Sequence, residues 1–137
     1  MAEHILKQLL KQEKINGINV SSAGTAAFPH YRIYGALKKI MDEEKMDVSS
    51  HVATQVTEKM IEDADMIFVM KRPHRDVITG MVPSAAERTF LLKQFATGNG
   101  DDADIPDPIG QPEEVYRRVM EELKEYIKRI TAKIKGG

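Results

Sequence analysis

The sequence has no cysteine among its 137 residues. This absence excludes disulfide bonds, zinc–thiolate sites and a thiol nucleophile within this chain. Long apolar runs are missing as well. No stretch is long enough to cross a bilayer, and no basic region followed by an apolar one precedes a cleavage site. We therefore predict a cytoplasmic protein with no membrane partner.

A strong excess of one charge is also lacking. The formal net charge is -1, and Lys and Arg are scattered among acidic residues. Because neither a basic run nor a basic face appears, we predict no nucleic-acid partner. The hydrophobic fraction of 42% can build a core and the charged fraction of 30% can solvate a surface. This length predicts a single domain over residues 1–137. We expect no cofactor.

Apolar periodicity predicts three long helices, over residues 2–14, 30–46 and 112–134. Thr57 is a good N-cap for a short helix, and Pro73 fits the first turn of another. The apolar stripes that we expect to face the core are Ile5, Leu6, Leu9 and Leu10 in the first helix, Ile33, Leu37, Ile40 and Met41 in the second, and Val115, Val119, Leu123, Ile127, Ile130 and Ile134 in the last. The two short helices carry Met60, Ile61 and Ala64, and Val77, Ile78 and Met81.

Residues 18–23, 66–70 and 89–92 read as strands, and residues 93–103 as a mobile polar loop. The run 66–70 is apolar without alternation, which is typical of a strand covered on both faces. Since strands and helices alternate, we predict an α/β fold with a parallel sheet and helices on both faces.

Residues 104–110 form a stiff, acidic stretch before the last helix. Pro106 and Pro108 fix their own φ and push the preceding residue away from the α region, and Gly110 allows a tight turn. A loop held in this way can aim a carboxylate, and Asp107 is our candidate. The alternative is that Asp-Pro is only a turn and a helix-entry signal.

Two other polar positions are candidates. The small residues 22–25 follow a predicted strand, and the Ser22 hydroxyl can brace a neighbouring loop; a plain strand end is the alternative. His51 lies in a polar segment, where a hydrogen-bonded surface histidine is the commoner role. No carboxylate or second histidine stands at metal-ligand spacing beside His51, so we predict no metal site.

The order of motifs resembles the low-molecular-weight protein tyrosine phosphatases, especially their bacterial branch that includes protein arginine phosphatases. Residues 1–3 resemble the end of the family's phosphate loop, R-S-P-M-A-E. Residues 22–25 resemble S-A-G-T, and residues 47–55 resemble D-x-S-x-H-x-A-x-Q. Residues 65–70 resemble the strand A-D-x-I-x-x-M, and residues 104–108 resemble the acid loop D-I-x-D-P. The resemblance covers nearly the whole chain.

The resemblance implies a flavodoxin-like strand order and a two-step hydrolysis of phosphorylated proteins or small phosphate esters. In the family, a thiolate in a C-x5-R loop attacks phosphorus, and an aspartic acid protonates the leaving atom and later deprotonates water. The motif gives Asp107 the acid–base role. It gives Ser22 and His51 the role of bracing the phosphate loop through hydrogen bonds.

The family's first strand and C-x5-R loop are absent from this sequence, and they are expected immediately before Met1. We therefore expect residues 1–137 to be an N-terminally truncated domain that is inactive as it stands. A mis-assigned start or a truncated product is one explanation, which the intact acid loop favours. The other is a catalytically dead relative that serves as a binding or regulatory module. An unrelated α/β domain with a chance motif order is a third interpretation.

The substrate is left open between phosphotyrosine and phosphoarginine. Tyrosine-specific members carry aromatic residues after Asp-Pro that stack on the substrate ring, whereas Ile109 can pack but not stack. Arginine phosphatases tend to have phenylalanine there. Arsenate reductases share the fold but need further cysteines downstream of the phosphate loop, so the sequence disfavours arsenate reduction.

Overall fold

The computed structural model describes residues 1–25, 35–48, 51–100 and 103–136. Within these ranges, the helices are α1 (Ala2–Gln12), α2 (Gly35–Glu43), α3 (Glu58–Asp63), α4 (Arg72–Met81), a 3₁₀-helix (Pro83–Arg88), α5 (Leu92–Thr97) and α6 (Glu113–Gly136). The strands are β1 (Ile67–Val69) and β2 (Thr89–Leu91).

The two strands lie parallel, with Phe68 opposite Phe90 in the central register position. A parallel bridge also joins Gly24 to Gln55, where the Gly24 N–H donates to the Thr54 carbonyl over 2.8 Å. The predicted parallel sheet is confirmed. Parallel strands place their carboxyl ends at one edge of the sheet, which is where ligands bind in such folds.

Helices cover both faces of the sheet. Successive side chains of a strand point to opposite faces, so each face packs against its own core. Phe68 packs against a core built by α1, α2, α5 and α6. Val69 and Leu91 belong to a second core, with Ile61 of α3 and Ile78 of α4. The buried residues of the first core are Ile5, Ile40, Met41, Met46, Val48, Leu92, Ala96, Ile105, Val119, Met120, Leu123, Ile127 and Ile130.

The long helices form where apolar periodicity predicts them, with shifted ends. Helix α1 ends at Gln12 rather than at residue 14, and α6 continues to Gly136. Helix α2 is described from Gly35, so the predicted inward position of Ile33 lies outside the described residues. Thr57 caps α3 as predicted, because its side chain accepts a hydrogen bond from the Met60 N–H.

The strand prediction for residues 18–23 is wrong. These residues form no strand, and within the described part of the chain only the neighbouring Gly24 makes a bridge. An extended segment becomes a strand only when a partner exchanges ladder hydrogen bonds with it. Apolar content therefore predicted an extended conformation without predicting its pairing.

The prediction of a polar loop over residues 93–103 is also wrong at the start of this segment. Helix α5 occupies Leu92–Thr97 and ends at Gly98, whose φ of 75° is the left-handed conformation that closes many helices. Leu92 thus begins a helix instead of ending a strand. Leu92, Phe95 and Ala96 have the i, i+3, i+4 spacing of one helix face, and they pack into the first core.

No helix in the described ranges is both long and apolar enough to span a bilayer. The cytoplasmic location remains a prediction from the sequence.

Candidate active site

The acid loop, residues 104–110, is fixed to the carboxyl end of β1. The Ile105 N–H donates to the carbonyl of Met70, directly after that strand, over 2.8 Å. The Asp104 carboxylate accepts from the N–H of Arg72, the first residue of α4, over 3.0 Å. Ile105 is also buried. The start of this loop is therefore anchored by the Ile105 backbone and by the side chains of Asp104 and Ile105.

Asp107 lies beyond this anchor, with its carboxylate exposed. One carboxylate oxygen accepts from the N–H of Ile109 over 3.0 Å, which closes an Asx-turn. Pro108 is buried, and its carbonyl accepts from the Gln111 N–H over 2.9 Å. The turn that the sequence predicts is therefore present, and it presents a carboxylate to solvent.

The start of α1 lies close to Asp107. Burial lowers the pKa of the Met1 amino group, whereas the charges of Glu3 and Asp107 raise it. Asp107 therefore lies close enough to Met1 for its charge to act there. The acid–base role of Asp107 remains a prediction from the resemblance.

Ser22 and His51 come together on Glu3 in the first turn of α1. The Ser22 hydroxyl donates to Glu3 Oε1 over 2.5 Å, and His51 Nδ1 lies 4.0 Å from the same oxygen. The other carboxylate oxygen pairs with Lys7 Nζ at 2.7 Å. Ser22 and His51, which the motifs single out, thus both lie close to Glu3 in the first turn of α1.

His4 completes this cluster. Its Nε2 lies 3.1 Å from His51 Nδ1, and the two rings are arranged edge to face with centroids 5.0 Å apart. The sequence offers no carboxylate or second histidine at metal-ligand spacing beside His51, whereas the fold brings Glu3 and His4 next to it. Local spacing could not reveal these neighbours, because 47 positions separate His4 from His51.

The electrostatics of the cluster follow from partial burial. Burial raises the pKa of Glu3, but hydrogen bonds from Lys7 and Ser22 outweigh it, so the pKa lies below its usual range. Burial lowers the pKa of His4, and the nearby positive groups lower it further against the attraction of Glu3. At neutral pH the cluster therefore holds an ionised carboxylate beside a neutral His4 imidazole.

Ile109 stands beside Asp107 with 63% of its surface exposed. In the described residues, no hydrogen bond or ion pair joins Asp107 to Ser22 or His51. Sequence reasoning missed Glu3 and His4, although the likeness of residues 1–3 to the end of a phosphate loop pointed to the first turn of α1.

The model of the family described as low molecular weight phosphotyrosine protein phosphatase matches residues 1–136. The chain belongs to this family. The recognition made from the five motifs is confirmed, and the family is one of phosphatases, which are hydrolases.

Two curated relatives are protein-arginine-phosphatases. The protein from Geobacillus stearothermophilus is 34% identical over 126 residues, which cover 92% of this chain and 83% of that protein. The protein from Bacillus subtilis is 28% identical over 135 residues, which cover 98% of this chain and 87% of that protein.

Solved structures of the family confirm the α/β fold. The YwlE arginine phosphatase from Geobacillus stearothermophilus matches with a TM-score of 0.87 and 32% identity, covering 98% of this chain and 83% of that one. A YwlE mutant with a phosphorylated active-site serine in place of cysteine matches with a TM-score of 0.90 and 28% identity, covering 98% and 86%.

Proposed function

We propose that this chain is the larger part of a phosphatase that hydrolyses phosphorylated protein side chains, with Asp107 as general acid and base. The observation that supports this most directly is the position of Asp107. It is exposed on a loop whose start is tied to the end of β1 by the hydrogen bond from the Ile105 N–H to the Met70 carbonyl. Membership of the phosphatase family supports the same reaction.

The reaction that we propose has two steps. A cysteine thiolate attacks phosphorus, and the bond from phosphorus to the leaving oxygen or nitrogen breaks while Asp107 donates a proton to that leaving atom. Asp107, now a carboxylate, takes a proton from water as the water attacks the cysteinyl phosphate, which restores the thiolate and releases phosphate. One related structure, a YwlE mutant, has a serine in place of the active-site cysteine, and this serine is phosphorylated. It supports a phosphorylated enzyme intermediate in the proposed reaction.

Residues 1–137 supply no cysteine, so the nucleophile belongs to a segment outside this sequence. We propose that it lies in a C-x5-R loop encoded before Met1, which makes residues 1–137 an N-terminally truncated domain. In this arrangement Ser22 and His51 brace the loop through Glu3. The hydrogen bond from Ser22 to Glu3 and the proximity of His51 to the same oxygen support this role.

We propose phosphoarginine in proteins as the first substrate to test, and phosphotyrosine as the second. Two relatives are protein-arginine-phosphatases, one of them 34% identical, and this favours phosphoarginine. Ile109, beside Asp107, is an aliphatic side chain that cannot stack on a phenyl ring. Other relatives are named as tyrosine phosphatases, so both substrates belong in the same assay.

The second candidate is a binding or regulatory module that recognises phosphorylated proteins without hydrolysing them. The absence of cysteine from all 137 residues favours it. The two proposals differ in what the DNA before the Met1 codon encodes. They also differ in whether adding that segment creates activity.

The deciding experiment compares the 137-residue protein with a version extended by the upstream in-frame codons. Both are assayed on a phosphoarginine protein, a phosphotyrosine peptide and an aryl phosphate. We expect hydrolysis only by the extended protein. If the upstream codons encode no C-x5-R, or if the extended protein folds without activity, the catalytic proposal is wrong. Retention of the phosphoprotein by the 137-residue chain then supports the binding module.

A further inference from the structure

Glu3, His4 and His51 bring three metal-binding side chains to one place. One oxygen of Glu3 and one nitrogen from each histidine all lie within 4.8 Å of one another. Each of the three residues is half-buried, so the ligand atoms are accessible yet partly shielded from water. Imidazole nitrogen and carboxylate oxygen are the ligands that zinc takes in catalytic and other open sites.

The distances suit a metal ion without a large rearrangement. Zinc binds nitrogen at about 2.0–2.1 Å, so two ligand atoms of a tetrahedral site lie about 3.3 Å apart. His4 Nε2 and His51 Nδ1 lie 3.1 Å apart. Glu3 Oε1 lies 4.0 Å from His51 Nδ1, so binding requires this carboxylate to move closer to the imidazoles.

The rest of the contacts hold the ligands in position. Glu3 and His4 are consecutive residues of α1, whose helical backbone fixes their relative placement. On the other segment, the His51 N–H donates to the Val48 carbonyl over 3.0 Å. Lys7 Nζ pairs with Glu3 Oε2, whereas Oε1 is the oxygen near His51, and the Lys7 charge opposes a cation.

We propose that Glu3, His4 and His51 form a binding site for a divalent transition-metal ion of the zinc class. The fourth position of the tetrahedron is then open to water or to an external ligand. This site does not include Asp107, but it shares Glu3 and His51 with the proposed bracing of the phosphate loop. In the alternative arrangement, the two imidazoles share a hydrogen bond and the cluster binds no metal ion.

The test is a titration of the 137-residue protein with Zn²⁺ and with Co²⁺, whose visible absorption reports tetrahedral nitrogen and oxygen ligands. We expect one ion per chain. His4→Gln and His51→Gln each remove one ligand and are expected to lower the affinity by about tenfold or more, since even groups that only support a ligand cost 10–100-fold. Circular dichroism checks that each variant folds.

His74→Gln is the matched control. His74 lies in α4 and is half-buried like the two candidate ligands, so the variant removes one histidine without touching the cluster. We expect its affinity to equal that of the unchanged protein. Equal losses in all three variants, or no binding by the unchanged protein, overturn the proposal.

A measurement without variants covers the case in which His4→Gln or His51→Gln fails to fold. Diethyl pyrocarbonate modifies accessible imidazoles, and peptide mapping by mass spectrometry reports each histidine separately. We expect Zn²⁺ to protect His4 and His51 from modification and to leave His74 unprotected. Modification of His4 and His51 at the same rate with and without Zn²⁺ contradicts the site.

Discussion

Ile105 donates its backbone N–H to the carbonyl of Met70 over 2.8 Å, and this bond attaches the acid loop to the end of β1. The two residues are far apart in the chain, yet this contact determines where Asp107 stands. Because Ile105 is also buried, its side chain resists movement of the loop. The exposed residues that follow are thereby held at the sheet's carboxyl edge, which is where the proposed chemistry takes place.

Asp107→Asn tests the acid–base proposal in the protein extended by the upstream codons. Asparagine keeps the size and can still accept from the Ile109 N–H, but it cannot exchange a proton with the leaving atom or with water. We expect kcat to fall by about 10²–10⁴-fold. Asp63→Asn, an exposed carboxylate of α3, is the matched control and is expected to keep full activity. Equal activity of both variants contradicts the role of Asp107.

Ile109→Phe tests whether this exposed side chain contacts the substrate. An aromatic ring can stack on an aryl group, and such pairs contribute about 0.5–1.5 kcal/mol. In the extended protein, we expect kcat/KM for an aryl phosphate to rise about twofold to tenfold over that of the unchanged protein. Ile109→Leu keeps an aliphatic side chain, so its kcat/KM for the aryl phosphate is expected to stay unchanged. A kcat/KM for the aryl phosphate that is the same in all three proteins places Ile109 outside the substrate pocket.

Ser22→Ala removes the hydrogen bond to Glu3 and leaves a half-buried carboxylate with one donor fewer. We expect the free energy of unfolding to fall by about 0.5–1.5 kcal/mol, measured by urea denaturation with an unchanged m-value. Ser21→Ala is the control, because Ser21 is exposed and adjacent. We expect it to shift stability by no more than about 0.5 kcal/mol. Indistinguishable midpoints for the two variants mean that the Ser22 bond does not stabilise this turn.

Arg117→Met tests the exposed ion pairs between α6 and α2. Hydrogen bonds from Arg117 lower the pKa of Glu43, and bonds from Lys39 and Arg117 lower that of Glu113. A carboxyl group with a lowered pKa stabilises the fold above its unfolded pKa, and this contribution disappears as the pH falls through the folded pKa. We expect the variant to melt at a lower temperature at neutral pH, with the difference vanishing in acid.

Salt provides the check on this interpretation. Exposed pairs are screened at high ionic strength, so 1 M NaCl is expected to reduce the difference at neutral pH. A difference in melting temperature that is the same at neutral and acid pH assigns the effect to lost packing of the Arg117 side chain instead.

The sequence predicted the helices that carry a strong local signal. Helices α1 and α6 have apolar stripes long enough to specify both the structure and the buried face, and Thr57 has the short polar side chain that an N-cap needs. Helix α5 was missed because its six residues lie beside polar ones that read as a loop. Residues 18–23 were predicted as a strand because apolar content does not reveal whether a partner pairs with them.

The sequence by itself determined the α/β class, the phosphatase family and the absence of any thiol nucleophile from residues 1–137, because composition and motif order are properties of the chain alone. Only the tertiary structure brought His51 to Glu3 and His4, and Ile105 to Met70. The physical reason is that packing of helices against the sheet decides which distant residues meet. No local pattern records a contact across 47 positions.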